Sequence, residues 1–127
     1  MTRIFTLKGF ARFQRKERIS DASLRKAIGG VEAGLVDADL GGGLVKQRLA
    51  RTGQGKSGGY RTVIAIKRGD RAVFLYGFAK NERSNIDADE LEEFRRLARG
   101  FLGLTTRQIA ALIAENELME VTYDDER

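Results

Sequence analysis

Residues 44–83 of the chain, LVKQRLARTGQGKSGGYRTVIAIKRGDRAVFLYGFAKNER, decide the predicted fold. Their pattern predicts three antiparallel strands, at Leu44–Leu49, Tyr60–Lys67 and Ala72–Phe78. A glycine-rich link at Gly53–Gly59 joins the first two strands, and a tight hairpin at Arg68–Asp70 joins the last two. The two later strands are apolar at both alternating sets of positions, which is typical of central strands covered on both faces.

The same stretch holds the excess positive charge of the chain. It contains ten lysines and arginines and two acidic residues, a net charge of +8, whereas residues 1–43 carry +3 and residues 84–127 carry −6. A positive field concentrated in this way predicts a polyanionic partner.

Helices are predicted on both sides of these strands. The first element is a strand at Arg3–Leu7, followed by a helix on which Phe10 and Phe13 share one face, where core packing is their simplest role. The remaining predicted elements are a helix capped by Ser20 or Asp21, an amphipathic helix capped by Asp87 or Asp89, a helix capped by Thr105 or Thr106, and an edge strand at Leu118–Thr122. We assign no chemistry to the acidic segment from Leu35 to Leu40.

These elements predict one α+β domain over residues 1–127. Its small antiparallel sheet has about four strands and is flanked by N-terminal and C-terminal helices.

The composition excludes several classes of chemistry. The chain has no cysteine and no histidine, which rules out disulfides, thiol nucleophiles, thiolate zinc sites and a histidine general base. No stretch approaches the roughly 18 apolar residues of a membrane span, and MTRIFTLKGF lacks the apolar core of a signal peptide. We therefore expect a cytoplasmic protein with no metal, cofactor or membrane partner.

The segment ARTGQGKS, Ala50–Ser57, matches a loose phosphate-loop pattern that we reject. A nucleotide-binding loop follows a buried apolar strand and opens a helix. Here the preceding strand carries Lys46 and Arg48, and Gly58 leads into another strand. Two alternatives remain: the loop contacts RNA phosphates through its amides, or it is a solvated connection.

The run from Asp39 to Ile86 resembles the RelE/HigB-like branch of the RelE/ParE toxin superfamily of type II toxin–antitoxin modules. The motifs that carry the resemblance are DLGGG at Asp39–Gly43, the strand start GYR at Gly59–Arg61, and GFAKNERSNI at Gly77–Ile86. The resemblance implies a small toxin with a four-stranded antiparallel sheet, held inactive by a cognate antitoxin that we expect to be a helix-turn-helix protein. It also implies that the free toxin enters the ribosomal A site and cuts mRNA, the 2′-hydroxyl attacking the adjacent phosphate.

The resemblance also implies site residues. By position it implies Arg61, Lys46, Arg48 and Lys80 as catalytic residues and Arg83 as a further basic residue. The predicted RNA-binding residues are Arg51, Lys56, Arg83 and Tyr60, of which Lys56 is predicted from the glycine-rich loop and Tyr60 from the strand aromatics. Asn81 and Asp87 stand where some members carry a basic residue and a later tyrosine. The identity of the acid and the base therefore stays open.

The residue types suit this chemistry independently of the resemblance. Cleavage needs a base for the 2′-oxygen, positive charge at the pentavalent phosphate, and an acid or a charge at the leaving 5′-oxygen. Lysine is the remaining nitrogen base in a chain without histidine. Arg48 and Arg61 would stay charged and clamp the phosphate. Tyr60, Tyr76 and Phe78 are candidates for base stacking, although strand aromatics usually lie in the core.

Three alternatives remain at this point. The chain could be a ParE-like toxin that inhibits a DNA topoisomerase without chemistry of its own, or a nucleic-acid-binding protein without toxicity. At the level of a single residue, Arg61 could instead form a structural ion pair with Glu82 or Asp70.

Overall fold

The structure is a computed structural model that describes residues 1–51 and 55–123, and the side chains of residues 1–49 and 59–123. Over these residues the strands are β1 (Arg3–Leu7), β2 (Ala38–Gly41), β3 (Leu44–Arg51), β4 (Gly55–Lys67), β5 (Arg71–Ala79) and β6 (Leu118–Val121). The helices over the same residues are α1 (Lys8–Glu17), α2 (Asp21–Glu32), α3 (Ala88–Leu102) and α4 (Thr106–Ala114). No helix in this part of the chain has the length and apolarity that crossing a membrane requires.

The strands form one mixed sheet in the order β2-β3-β4-β5-β1-β6. The α+β class is confirmed, but the predicted antiparallel sheet of about four strands is wrong in two respects. The sheet has six strands within the described residues, and β1 runs parallel to β5, with Arg3 opposite Arg71 and Thr6 opposite Phe74. The pairing of β1 with β5 joins segments far apart in sequence, so no local pattern could specify it.

Helices cover both faces of the sheet and create two cores. On one face, Phe10 of α1 and Leu24 of α2 pack on Ile64 and Phe74. On the other, Ala98 of α3 and Ile109 of α4 belong to the same cluster as Val63 and other strand residues. A fully buried side chain of this size contributes about 1.5–3 kcal/mol. The double coverage confirms the prediction that the two later strands are central, and Phe10 takes its predicted place in the core.

The hairpin between β4 and β5 turns at Arg68–Asp70 as predicted. The Asp70 N–H donates to the Lys67 carbonyl at 3.0 Å, and Gly69 takes a φ of 78° that favours glycine. The glycine-rich link before β4 is shorter than predicted, because β4 already begins at Gly55, which pairs with Arg51. Residues 52–54 lie outside the described residues.

Each of the later helices begins at one of its predicted caps. Ser20 accepts from the Ser23 N–H, and Asp87 and Thr105 form reciprocal capping boxes with Glu90 and Gln108. A cap of this kind contributes about 1 kcal/mol. The cap at Asp87 also fixes Glu90 in the first turn of α3, where it meets an arginine of the preceding loop.

Candidate functional site

Two arginines face each other across neighbouring strands. Arg48 of β3 and Arg61 of β4 are Cα partners in the register of the sheet. Lys46 lies on the same face as Arg48, because side chains alternate along a strand. This face also carries Leu44 and Val63 and is the one covered by α3 and α4. The Arg48 side chain is 49% exposed, so this end of the face is open to solvent. We call Lys46, Arg48 and Arg61 the cation cluster.

Arg61 is the most enclosed member of the cation cluster. Its side chain is only 13% exposed, and within the described part of the chain its buried Nη1 has no hydrogen-bond partner. A buried N–H without a partner costs free energy. A phosphate oxygen would satisfy this donor, and a strand inside a sheet holds the guanidinium on a rigid frame.

A carboxylate lies between the two arginines. Asp37 Oδ2 is 3.7 Å from Arg61 Nε, and Asp37 Oδ1 is 3.7 Å from Arg48 Nη2. Like charges directly opposite on a sheet repel, and the carboxylate offsets that repulsion. The alternative of a structural ion pair for Arg61 is met by another partner than Glu82 or Asp70, since the carboxylate beside Arg61 is that of Asp37 and Asp70 pairs with Arg71 at 2.8 Å.

Asp37 is held in place by a buried amide. The Asp37 N–H donates to Gln47 Oε1 at 3.0 Å, and Gln47 Nε2 donates to the Leu35 carbonyl at 2.9 Å. Gln47 is buried and thereby fixes the segment between α2 and β2 against β3. The segment Leu35–Leu40, to which we assigned no chemistry, thus supplies the carboxylate that lies between the two arginines. The sequence gives no local sign of this contact.

Lys46 also contacts the loop that follows β5, and Lys80 lies at the same end of the sheet. Lys46 Nζ donates to Asn85 Oδ1 at 3.3 Å. Lys80 is exposed just beyond β5, and its N–H donates to the carbonyl of Gly59 at 3.1 Å, two residues before Arg61. Arg48, Arg61 and Lys80 thus lie towards one end of the sheet, and Lys46 lies two residues before Arg48, opposite Val63.

Arg83 anchors this loop to α3. Its guanidinium contacts Glu90 through Nη2–Oε1 at 2.6 Å and Nη1–Oε2 at 3.0 Å, and it also donates to the Tyr76 hydroxyl and the Asn85 carbonyl. The Arg83 hydrogen bond lowers the pKa of Glu90 to about 2, with help from the Asp87 N–H. The same ion pair raises the pKa of Arg83. These contacts give Arg83 a structural role and do not favour its predicted contact with RNA.

The aromatic residues are not available for base stacking. Tyr60 is 2% exposed, its hydroxyl lies 3.0 Å from Glu17 Oε1, and its ring meets Phe13 edge-on, on the face opposite to Arg61. These contacts do not favour the predicted contact of Tyr60 with RNA, which stays a prediction. Phe78 is buried as well, and Tyr76 stacks on Phe94 at 5.5 Å. Register explains the position of Tyr60, because neighbouring residues of a strand point to opposite faces; Tyr76 and Phe78 lie on the face of Arg61 but are held by packing.

Two predicted RNA-binding residues stay untested at the level of their side chains. The backbones of Arg51 and Lys56 lie in β3 and β4, next to the connection between these strands. Their side chains lie outside the described residues, as does the connection itself. Their contact with RNA stays a prediction.

The arrangement is suited to binding an anion that carries several oxygens. Arg48 and Arg61 offer planar donor groups that match a phosphate in bidentate geometry, and Lys46 adds a compact positive charge. Within the described ranges, no group of three or more potential metal-ligating side chains lies close enough to hold a metal ion.

A family model described as RelE toxin of RelE / RelB toxin-antitoxin system matches residues 2–121. The match includes the whole sheet, the cation cluster and Asp37. No curated protein matches the chain.

Proposed function

The chain belongs to the RelE toxin family of toxin–antitoxin systems, and we propose that it arrests translation as a ribosome-dependent mRNA endonuclease. The observation that supports this most strongly is Arg61, whose buried Nη1 has no hydrogen-bond partner within the described residues and whose cross-strand partner is a second arginine. This pair could hold the scissile phosphate and stabilise the charge that develops on it.

The proposed reaction needs one proton removed and one delivered. The 2′-hydroxyl loses its proton to a base, its oxygen bonds to phosphorus, and the bond from phosphorus to the 5′-oxygen breaks. The leaving 5′-oxygen takes up a proton, so the products are a 2′,3′-cyclic phosphate and a 5′-hydroxyl. Lys46 and Lys80 are the proposed proton-transfer groups, because the first belongs to the cation cluster, the second lies towards the same end of the sheet as Arg61, and the chain has no histidine.

Asp37 has a supporting part in this proposal. A carboxylate beside Arg61 Nε orients the guanidinium so that its other edge, with Nη1, is left for the phosphate. The same carboxylate keeps Arg48 close although both arginines are positive. We therefore propose Asp37 as a positioning residue for the arginine pair.

A cognate antitoxin is the partner that the family implies. We propose a helix-turn-helix antitoxin that covers or distorts the basic sheet around the cation cluster, because that surface attracts acidic groups. The free toxin would act in the cytoplasm, where ribosomes translate. A purified complex that cannot cut mRNA but leaves Lys46, Arg48 and Lys80 fully accessible to chemical labelling would overturn this assignment.

A cell-free translation reaction tests the proposed function. Added toxin is expected to stop translation and to cut mRNA on ribosomes, leaving DNA supercoiling unchanged. Intact mRNA together with impaired supercoiling would instead identify a topoisomerase inhibitor. Normal growth of cells that express the chain without its antitoxin would identify a nucleic-acid-binding protein without toxicity.

A further inference from the structure

The outer face of α1 carries a second group of positive charges. Lys8, Arg12, Arg15 and Lys16 recur along one stripe of this helix and are all exposed, while Phe10 and Ala11 on the other side are buried. Arg18 follows at the C-cap and is also exposed. We call these five cations the α1 stripe.

Most of the α1 stripe lacks a counter-charge. Lys8 lies 3.5 Å from a carboxylate oxygen of Glu117. For Arg12, Arg15, Lys16 and Arg18, the described part of the chain provides no carboxylate within ion-pair distance. The stripe is therefore free to meet an external anion.

Only the last turn of α1 gains from this arrangement of charge, because Arg15 and Lys16 there favour the helix dipole. Like charges one turn apart, such as Lys8 with Arg12 and Arg12 with Lys16, repel each other and weaken a helix. The first turn of α1 has no acidic residue that would favour the helix dipole, and its N-cap residue Leu7 makes no side-chain cap. The packing of Phe10 and Ala11 has to hold the helix in place.

The backbone conformation of Arg18 is a second, independent indication that the α1 stripe has a function. Arg18 adopts the left-handed conformation, with φ 57° and ψ 43°, at a position where glycine or asparagine ends a helix with less strain. Backbone strain at a non-glycine residue is often associated with a function of its side chain. The residue in this strained conformation is an arginine, and it adds a fifth positive charge at the C-terminal end of the α1 stripe.

The α1 stripe is separate from the cation cluster. Helix α1 packs on the face of the sheet opposite to Arg61, with Phe10 5.0 Å from Phe74 between ring centres. The aromatic residues of α1, Phe10 and Phe13, pack against the core and offer no surface for stacking single-stranded bases. Arginine-rich charge without stacking surfaces matches the phosphate backbone of a double helix.

We propose that the α1 stripe binds the phosphate backbone of double-helical RNA, as a contact separate from the site at Arg61. The inference deepens the proposed function and rests on it in one respect, since the ribosome would supply the structured RNA. In this arrangement α1 holds the protein on structured RNA while the opposite face of the sheet acts on a single strand.

The test compares two variants with the same loss of charge. The stripe variant combines Arg12→Gln, Arg15→Gln and Lys16→Gln, and the control variant combines Arg96→Gln, Arg99→Gln and Arg107→Gln, three exposed arginines of α3 and α4. The probe is a labelled 2′-O-methyl RNA duplex, which keeps its phosphates but lacks the attacking hydroxyl. Binding is measured over a range of salt concentrations, and thermal unfolding verifies that each variant is folded.

If each of the three side chains neutralises one phosphate, the stripe variant lowers the slope of log K against log salt by about 2.7. The control variant is expected to keep the slope of the parent. Equal losses in both variants, or no loss in either, would overturn the proposal. Parent-like RNA binding combined with lost antitoxin binding would overturn it too, and would identify a protein interface.

The same preparations are assayed for mRNA cleavage on ribosomes. A parent protein that does not cut mRNA, combined with the expected change in slope, would contradict the proposed function but support the α1 contact. If the parent protein cuts mRNA but the stripe variant keeps the parent's slope of log K against log salt, the α1 contact is contradicted and the proposed function is supported.

Discussion

Arg61 depends on residues that its own strand does not supply. That Arg61 belongs to an apolar strand and follows two glycines closely could be predicted from the sequence. Its contact with Asp37 could not, because Asp37 belongs to the acidic segment before β2, which Gln47 of β3 holds beside the arginines. The face on which Tyr60 lies was also missed, since one residue of register decides between core and surface.

Replacing Arg61 tests its role directly. Arg61→Ala is expected to lower the rate of mRNA cleavage on ribosomes by at least about 10²-fold, because it removes the donor proposed to stabilise the phosphate. Arg61→Lys should recover only part of the rate, since an ammonium cannot form two parallel hydrogen bonds. Single-turnover cleavage gives the rates, with Arg99→Ala as the control. A folded Arg61→Ala protein that cuts like the parent would shift attention to Lys46, Arg48 and Lys80.

Replacing Asp37 tests whether it positions the arginines. Asp37→Asn removes the charge between Arg48 and Arg61, so we expect a loss of about 1 kcal/mol in the free energy of unfolding, measured in urea. We also expect cleavage to slow by about 10-fold to 100-fold because the guanidinium is less well oriented. Asp37→Glu should restore part of both.

Asp39→Asn provides the matched control, since it makes the same chemical change two residues away. The Asp39 side chain accepts a hydrogen bond from the Gly41 N–H, and asparagine can accept it as well. Equal effects of the two substitutions would show that net charge matters rather than the position of Asp37.

At the scale of the elements, local signals were sufficient for some features and not for others. The caps of α2, α3 and α4 and the tight hairpin at Gly69 depend on neighbouring residues, and each was predicted. Strand β2 was missed, because it has only four residues, ADLG, and gains its strand conformation by pairing with β3. The parallel pairing of β1 with β5 was missed for the same reason, because it depends on a partner strand that is even more distant in the sequence.

The anchor between the loop after β5 and α3 predicts an effect of pH. The pKa of Glu90 is lowered from its usual 4.5 to about 2, first by the Arg83 hydrogen bond. The ion pair therefore contributes to stability above about pH 4.5, and this contribution is lost as the pH falls towards 2. Glu90→Gln should lower the Tm at pH 7, and its difference from the parent should shrink towards pH 2. Glu92→Gln, on an exposed position of the same helix, serves as the control. A difference in Tm that stays constant with pH would contradict the anchor.

The contact between α1 and the sheet depends on a glycine. A Cβ on Gly77 would lie 2.6 Å from Phe13 Cε2 and 2.9 Å from Phe10 Cε1. Gly77→Ala is therefore expected to lower the free energy of unfolding by about 1–3 kcal/mol. Gly100→Ala is the matched control, because its Cβ would meet nothing within 4 Å in helix α3, and it should stabilise the protein by about 0.5–1 kcal/mol. Chemical denaturation measures both, and a neutral Gly77→Ala would contradict the close packing of α1.

At the scale of the whole molecule, the positive charge is divided between two faces of the sheet. The cation cluster opens on one face and the α1 stripe lies on the other, while residues 84–127 of the sequence carry a net charge of −6. This polarity was visible in the sequence. Its division between two faces of one sheet was not, because it follows from the order of the strands and the side on which each helix packs.

The most direct test of the central claim is to map the ends of mRNA after reaction with the purified protein, with and without ribosomes. We expect cuts only where ribosomes hold the mRNA, with a 2′,3′-cyclic phosphate on one fragment and a 5′-hydroxyl on the other. The same reaction with Arg61→Ala should leave the mRNA intact. Uncut mRNA on ribosomes that the parent protein has arrested would contradict the account.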